Sequence, residues 1–111
     1  LRDYKLYLSD IQEATSKIIT FTKGYSYKKF SMDERTIDAV IRNLEVIGEA
    51  SKHVPKKLRE QYQEVDWQAM MGLRNIIAHE YFGVDLKIIW KTVRERIPEL
   101  NKQIKSIIAD L

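Results

Sequence analysis

Cysteine is absent from this chain, and proline and glycine are scarce. With no cysteine there can be no disulfide framework, no thiolate zinc site and no cysteine nucleophile. Only 4 glycines and 2 prolines punctuate 111 residues, too few to turn a sheet protein of many short strands. Histidine occurs only as His53 and His79, which leaves little material for a histidine metal site. No apolar run is long enough to cross a membrane, and Leu1-Arg2-Asp3 opens without the apolar stretch of a signal peptide. The expected location is therefore the cytoplasm, away from membranes. Neither sign of charge dominates: 19 basic against 16 acidic residues give a net charge of +3. That balance permits contact with nucleic acid but is far from a basic arm. There is also no glycine-rich phosphate loop, no Gly-x-Ser-x-Gly elbow and no helix-turn-helix signature, so the chain is not expected to bind ATP or another cofactor by itself.

What is present is the balance of a globular protein, with 44% hydrophobic and 32% charged residues. A length of 111 residues suits one domain, 1–111, with one core. Tyr4, Leu8, Ile11, Thr15, Ile18, Thr22 and Tyr25 recur at gaps of four and three, which draws one stripe along a first helix. Gly24 lies near its end, and Ser26 to Lys29 reads as a loop. Ser31 and Glu34 have capping-box spacing and would start a second helix close to Asp33. Ile37, Val40, Ile41, Leu44, Ile47 and Gly48 share a face of that helix, and Pro55 stops it. A short charged turn of helix from Lys56 to about Tyr62 follows. Asp66 would cap a third helix that begins at Trp67 and ends near Gly83. Asp85 caps a fourth with Leu86, Ile89, Trp90 and Val93. Pro98 suits the first turn of a last helix carrying Leu100, Ile104, Ile107 and Ile108. The expected fold is all-α, an antiparallel bundle of four to five main helices.

Chemistry concentrates in Arg74-Asn75-Ile76-Ile77-Ala78-His79-Glu80-Tyr81. Arginine offers a fork of donors that matches phosphate oxygens. Histidine moves protons near neutral pH. Together they could cleave RNA without a metal. The imidazole would take the proton of the ribose 2′-OH or supply one to the leaving oxygen, while arginine offsets charge developing at phosphorus. On a straight helix, however, five residues rotate Arg74 and His79 about 140° apart, whereas Arg74 and Tyr81 lie within roughly 20° of one line. A bent helix end or a second chain is needed to bring Arg74 and His79 to one phosphate. A two-fold dimer would also supply two imidazoles, one as base and one as acid. A phosphate or nucleotide on the Tyr81 oxygen would occupy Arg74 and repel a substrate backbone.

Other residues read as structural. Glu45 and Glu49, one turn apart, suit a solvated or polar-interface face better than a metal site. His53, before Val54-Pro55, would meet free carbonyls at a helix end. Trp67 and Trp90 fall on apolar stripes and are expected in the core or at a dimer interface. Lys28, Lys29, Lys52, Lys56 and Lys57 could form an RNA-tracking patch, although scattered lysines are usually soluble surface.

Arg74-x4-His79-x-Tyr81 resembles the signature of the HepT toxins, a branch of the HEPN ribonuclease superfamily. Asp38-Ala39-Val40-Ile41-Arg42-Asn43-Leu44-Glu45-Val46-Ile47-Gly48-Glu49-Ala50 is similar to that family's second-helix block. Gly72-Leu73-Arg74-Asn75 through His79-Glu80-Tyr81-Phe82-Gly83-Val84-Asp85 is similar to its catalytic-helix block. The likeness runs over essentially the whole chain. It implies a helical bundle that dimerises into a composite, metal-independent endoribonuclease, with higher oligomers left open. It implies Arg74 and His79 as the catalytic pair, Asn75 as polar support, and Gly48-Glu49 as a place of close helix packing with a polar contact near the site. It also implies a toxin–antitoxin system in which a MntA-like nucleotidyltransferase antitoxin transfers AMP from ATP to Tyr81. A rival reading is a non-catalytic helical adaptor or nucleotide-binding subunit of a nucleotidyltransferase complex. In a third, dimerisation merely buries His79.

Overall fold

The computed structural model describes residues 2–79 and 85–111, with the side chains of residues 75–79 outside that description. The fold is all-α, and no strand occurs among the described residues. No helix among them is long and apolar enough to cross a membrane.

Helix α1 spans Tyr4–Thr22, with the Asp3 carboxylate accepting from the Lys5 amide at its start. Of the stripe read from its sequence, Leu8, Ile11, Thr15, Ile18 and Thr22 are buried, with Ala14 beside them, while Tyr4 is half-buried and Tyr25 lies beyond the helix end. Gly24 follows with φ 76°, a left-handed conformation that glycine adopts without steric cost. The segment expected to be a loop is instead a short helix, α2 (Tyr27–Ser31), capped by Ser26, whose hydroxyl accepts from the Lys29 amide. Its reason is tertiary: Phe30 is fully buried and packs on Trp90, with ring centroids 5.0 Å apart.

Helix α3 (Glu34–His53) starts where expected but is capped differently. Asp33, not Ser31, accepts from the Thr36 amide, while the Ser31 hydroxyl turns back to the Lys28 carbonyl. Asp33 also accepts from the hydroxyls of Tyr25 and Thr36. These donors favour the charged carboxylate and hold its pKa below the ordinary value. Pro55 ends α3 and precedes α4 (Lys56–Gln61). Helix α5 (Trp67–His79) begins after Asp66, whose carboxylate accepts from the Ala69 amide. The expected end near Gly83 lies outside the described residues.

Helix α6 (Leu86–Lys91) is capped by Asp85, as its sequence indicates. Pro98 falls in the first turn of the last helix, as its sequence indicates. A π-helical turn, Thr92–Arg96, joins α6 directly to α7 (Ile97–Asp110). Proline has no N–H to donate to the carbonyl four residues back, and its ring crowds that carbonyl. The wider turn accommodates this: the Ile97 amide donates to Thr92, five residues back.

Four helical rods thus share one core: α1, α3, α5 and the α6–π–α7 run, with α2 and α4 as short props. Tyr7 near the start of α1 stacks on His53 at the end of α3, so these two rods run antiparallel. Each fully buried Leu or Ile contributes about 1.5–3 kcal/mol before entropy is counted. One polar link crosses the core: Asn101 of α7 donates to the hydroxyls of Thr15 and Ser16, at 2.8 and 3.0 Å. Both expected tryptophans serve packing. Trp67 is buried and donates its indole N–H to the Tyr62 carbonyl, and Trp90 lies against Phe30.

Candidate active site

The site begins with a glycine. A β-carbon added to Gly48 would lie 2.9 Å from the Arg74 backbone nitrogen and 3.2 Å from the Met70 carbonyl oxygen. Only a residue without a side chain lets α5 approach α3 this closely, and the contact falls at the turn of α5 that carries Arg74.

One residue further along α3, Glu49 receives the guanidinium: Arg74 Nη1 is 3.1 Å from Glu49 Oε2. Both side chains are about half exposed, at 51% and 47%. Such a pair contributes at most about 1 kcal/mol to stability. Its consequence is orientation. The two oxygens of Glu49 differ: Oε2 is shut off from solvent and has no aligned hydrogen bond among the described residues, with Arg74 beside it as counter-charge. Oε1 faces His53 Nε2 at 3.2 Å.

His53 therefore does not serve the free carbonyls at the end of α3. It is the fourth residue after Glu49, and that spacing places both on one side of the helix. Its ring stacks on Tyr7 of α1, with centroids 4.9 Å apart and planes 17° from parallel. Arg2 lies over Tyr7 at 4.6 Å and forms a two-pronged pair with Asp10, at 2.6 and 3.2 Å. A chain of contacts thus runs Arg74–Glu49–His53–Tyr7–Arg2–Asp10 and ties α5, α3 and α1 together.

Arg74, Glu49, Tyr7, Arg2 and Asp10 border a groove of about 420 Å³, completed by Arg42, Glu45, Val46 and Ala50. On α3, Arg42, Glu45, Val46 and Glu49 are spaced by three, one and three, which sets them along one face. No cluster of three or more metal-ligating side chains occurs among the described residues.

Of the residues singled out in the sequence, Arg74 and Glu49 are brought together, and Gly48 provides the close packing expected beside them. Asn75 and His79 belong to α5 by backbone, but their side chains lie outside the described residues, and so does Tyr81. The five lysines do not make one patch. All are exposed, but Lys28 and Lys29 sit on α2 at the start of α3, and Lys52, Lys56 and Lys57 gather at its far end. A 20-residue helix separates the groups by about 30 Å. Sequence reasoning missed Tyr7, Arg2 and Arg42 as groove residues. The local signal available for Arg42 was its helical spacing to Glu45 and Glu49; Arg2 and Tyr7 come from a distant part of the chain and had none.

The family model for ribonuclease HepT-like proteins matches residues 11–107, most of the chain. A protein of Methanocaldococcus jannaschii named "Putative RNase" is 42% identical over 96% of this chain and 97% of its own length. A "Probable ribonuclease HepT" of Thermococcus cleftensis is 42% identical over 96% of this chain and 96% of its own. A "Putative RNase" of Caldanaerobacter subterraneus is 43% identical over 92% of this chain and 91% of its own. No solved structure matches the chain. The blocks at 38–50 and 72–85, with Gly48, Glu49, Arg74 and His79, all fall inside the matched span. The chain belongs to the ribonuclease HepT-like family.

Proposed function

We propose that this chain, acting as one domain, is a metal-independent endoribonuclease and the toxin of a toxin–antitoxin pair. The observation that carries the reading is Arg74, presented at the edge of a groove by Glu49 and by the close contact at Gly48. The names of the relatives support RNA as the substrate class.

In this reading the 2′-oxygen of a ribose attacks the adjacent phosphorus as His79 accepts its proton. Arg74 offsets the negative charge that builds on the phosphoryl oxygens. The 5′-oxygen leaves with a proton from a second imidazole, which yields a 2′,3′-cyclic phosphate and a 5′-hydroxyl. Because Arg74 and His79 diverge along one helix, a homodimer supplies the partner imidazole and makes the site composite. Asn75 provides polar support from the same turn.

Tyr81 is the control point. Its phenolic oxygen attacks the α-phosphorus of ATP on a MntA-like nucleotidyltransferase, releasing pyrophosphate and a proton. The resulting phosphodiester competes with RNA for Arg74 and silences the nuclease. These events belong in the cytoplasm, where RNA and ATP are found.

The decisive assay is cleavage of single-stranded RNA by purified protein in EDTA, beside the same sequence as DNA. RNA cutting that persists in EDTA, spares DNA and stops in His79→Ala is expected. DNA cleavage or strict metal dependence overturns the mechanism. Intact mass after incubation with ATP and the nucleotidyltransferase reads the control step. AMP increments confined to the Tyr81 peptide support it, and none with an active transferase removes it.

A further inference from the structure

The groove beside Arg74 has the wrong charge pattern for a simple phosphate track. Three arginines line it, but so do three carboxylates. Two of the arginines already have a carboxylate beside them, Asp10 for Arg2 and Glu49 for Arg74. Arg42 and Glu45 have no ion partner among the described residues, and they sit three apart on α3, facing the same space. Val46 and Ala50 add apolar surface to the same groove.

A donor fork next to an acceptor carboxylate, with apolar surface in the same groove, suits a flat group with both acceptors and donors on its edge. RNA bases have that chemistry. Single-stranded RNA is read mainly through splayed-out bases held on apolar or aromatic surfaces and bonded along their edges. Arginine recognises paired acceptors, and glutamate accepts from an exocyclic amine. The volume of about 420 Å³ suits one nucleotide-sized group and not a duplex. Along α3, Arg42 stands about 10 Å from Glu49, the residue that holds Arg74. That separation reaches a neighbouring nucleotide of a strand whose scissile phosphate is on Arg74.

We propose that this groove is a base-reading subsite in which Arg42 and Glu45 bind the edge of one unpaired RNA base flanking the cut, and so set where the enzyme cleaves. The inference rests on the ribonuclease reading above. Arg42 and Glu45 are specificity residues and take no part in proton transfer.

The test compares cleavage of short single-stranded oligoribonucleotides in which each position flanking the cut carries each of the four bases in turn. The wild-type protein is expected to prefer one base at one position. Arg42→Lys and Glu45→Gln are each expected to lower kcat/KM for that substrate about tenfold, the loss of one edge contact, with disfavoured substrates little changed. Arg42→Lys keeps the charge but loses the fork, so retention of full preference in that variant overturns base reading. Loss spread evenly over all substrates, with a salt slope of binding reduced by about one, assigns Arg42 to a phosphate and also overturns it.

A binding arm separates this proposal from the nuclease reading. The same oligonucleotides are titrated into the His79→Ala protein and its Arg42→Lys and Glu45→Gln derivatives, with helical content and melting checked for each. Base-dependent affinity that disappears in the derivatives supports the subsite even where no RNA is cut. Equal affinity for every oligonucleotide, or base dependence that survives both substitutions, overturns it.

Discussion

Gly48 and Arg74 meet backbone to backbone. A β-carbon on Gly48 would come within 2.9 Å of the Arg74 amide nitrogen. Because the obstruction is helix backbone, no side-chain rotation relieves it. Replacing glycine by alanine inside a helix is ordinarily worth about 0.5–1 kcal/mol of stability. Here, overpacking of about 1–3 kcal/mol opposes that gain and outweighs it. Gly48→Ala is expected to lower the melting temperature and reduce RNA cleavage together, because α5 moves with Arg74. Gly72→Ala is the control: nothing among the described residues lies within 4 Å of its added carbon, so a small stabilisation is expected. Thermal melting of both variants checks the contrast.

Glu49→Gln separates position from stability. The Arg74–Glu49 pair is half exposed, so unfolding free energy is expected to change by less than about 1 kcal/mol. RNA cleavage is expected to fall severalfold, chiefly in kcat, as the guanidinium loses its anchor. A matched fall in stability and activity would instead make Glu49 a packing residue.

Asp66→Ala removes the side-chain cap of the helix that carries Arg74. A lost N-cap costs about 1 kcal/mol. Urea denaturation is expected to show a lower midpoint with an unchanged slope.

Asp33 gives the protein an acid-sensitive cap. Hydrogen bonds from Tyr25 and Thr36 hold its folded pKa below the ordinary 3.8. A depressed carboxylate pKa adds stability that is fully present above the unfolded value and is lost as pH falls through the folded one. The contribution should therefore be steady above about pH 5 and fade below pH 3.8. Asp33→Asn is expected to flatten this limb of the melting temperature–pH curve, with the two proteins converging at the acid end.

Much of the scaffold was written in local sequence. The stripe from Leu8 to Thr22, the caps at Asp66 and Asp85, and the stop at Pro55 all depend on neighbours within a few residues. Periodicity of 3.6 and side-chain capping act over that range. The helix at Tyr27–Ser31 escaped because its local residues are polar, and the burial of Phe30 against Trp90, 60 positions away, decides it. Pro98 was placed correctly in a first helical turn, but the direct join of α6 to α7 escaped because a π turn relieves what an α turn could not.

In the site, Arg74, His79 and Tyr81 were visible as a motif because they share one short stretch of chain. By itself the sequence determined which faces would be apolar, where helices begin, and which side chains could carry chemistry. Only tertiary structure decided that Glu49 receives Arg74, that His53 turns to Glu49 and Tyr7, and that Arg42 and Glu45 border the same groove. The reason is range: helical periodicity sets the direction of a side chain about its own axis, but its partner depends on how separate helices seat against each other. At this site that seating turns on a single missing β-carbon.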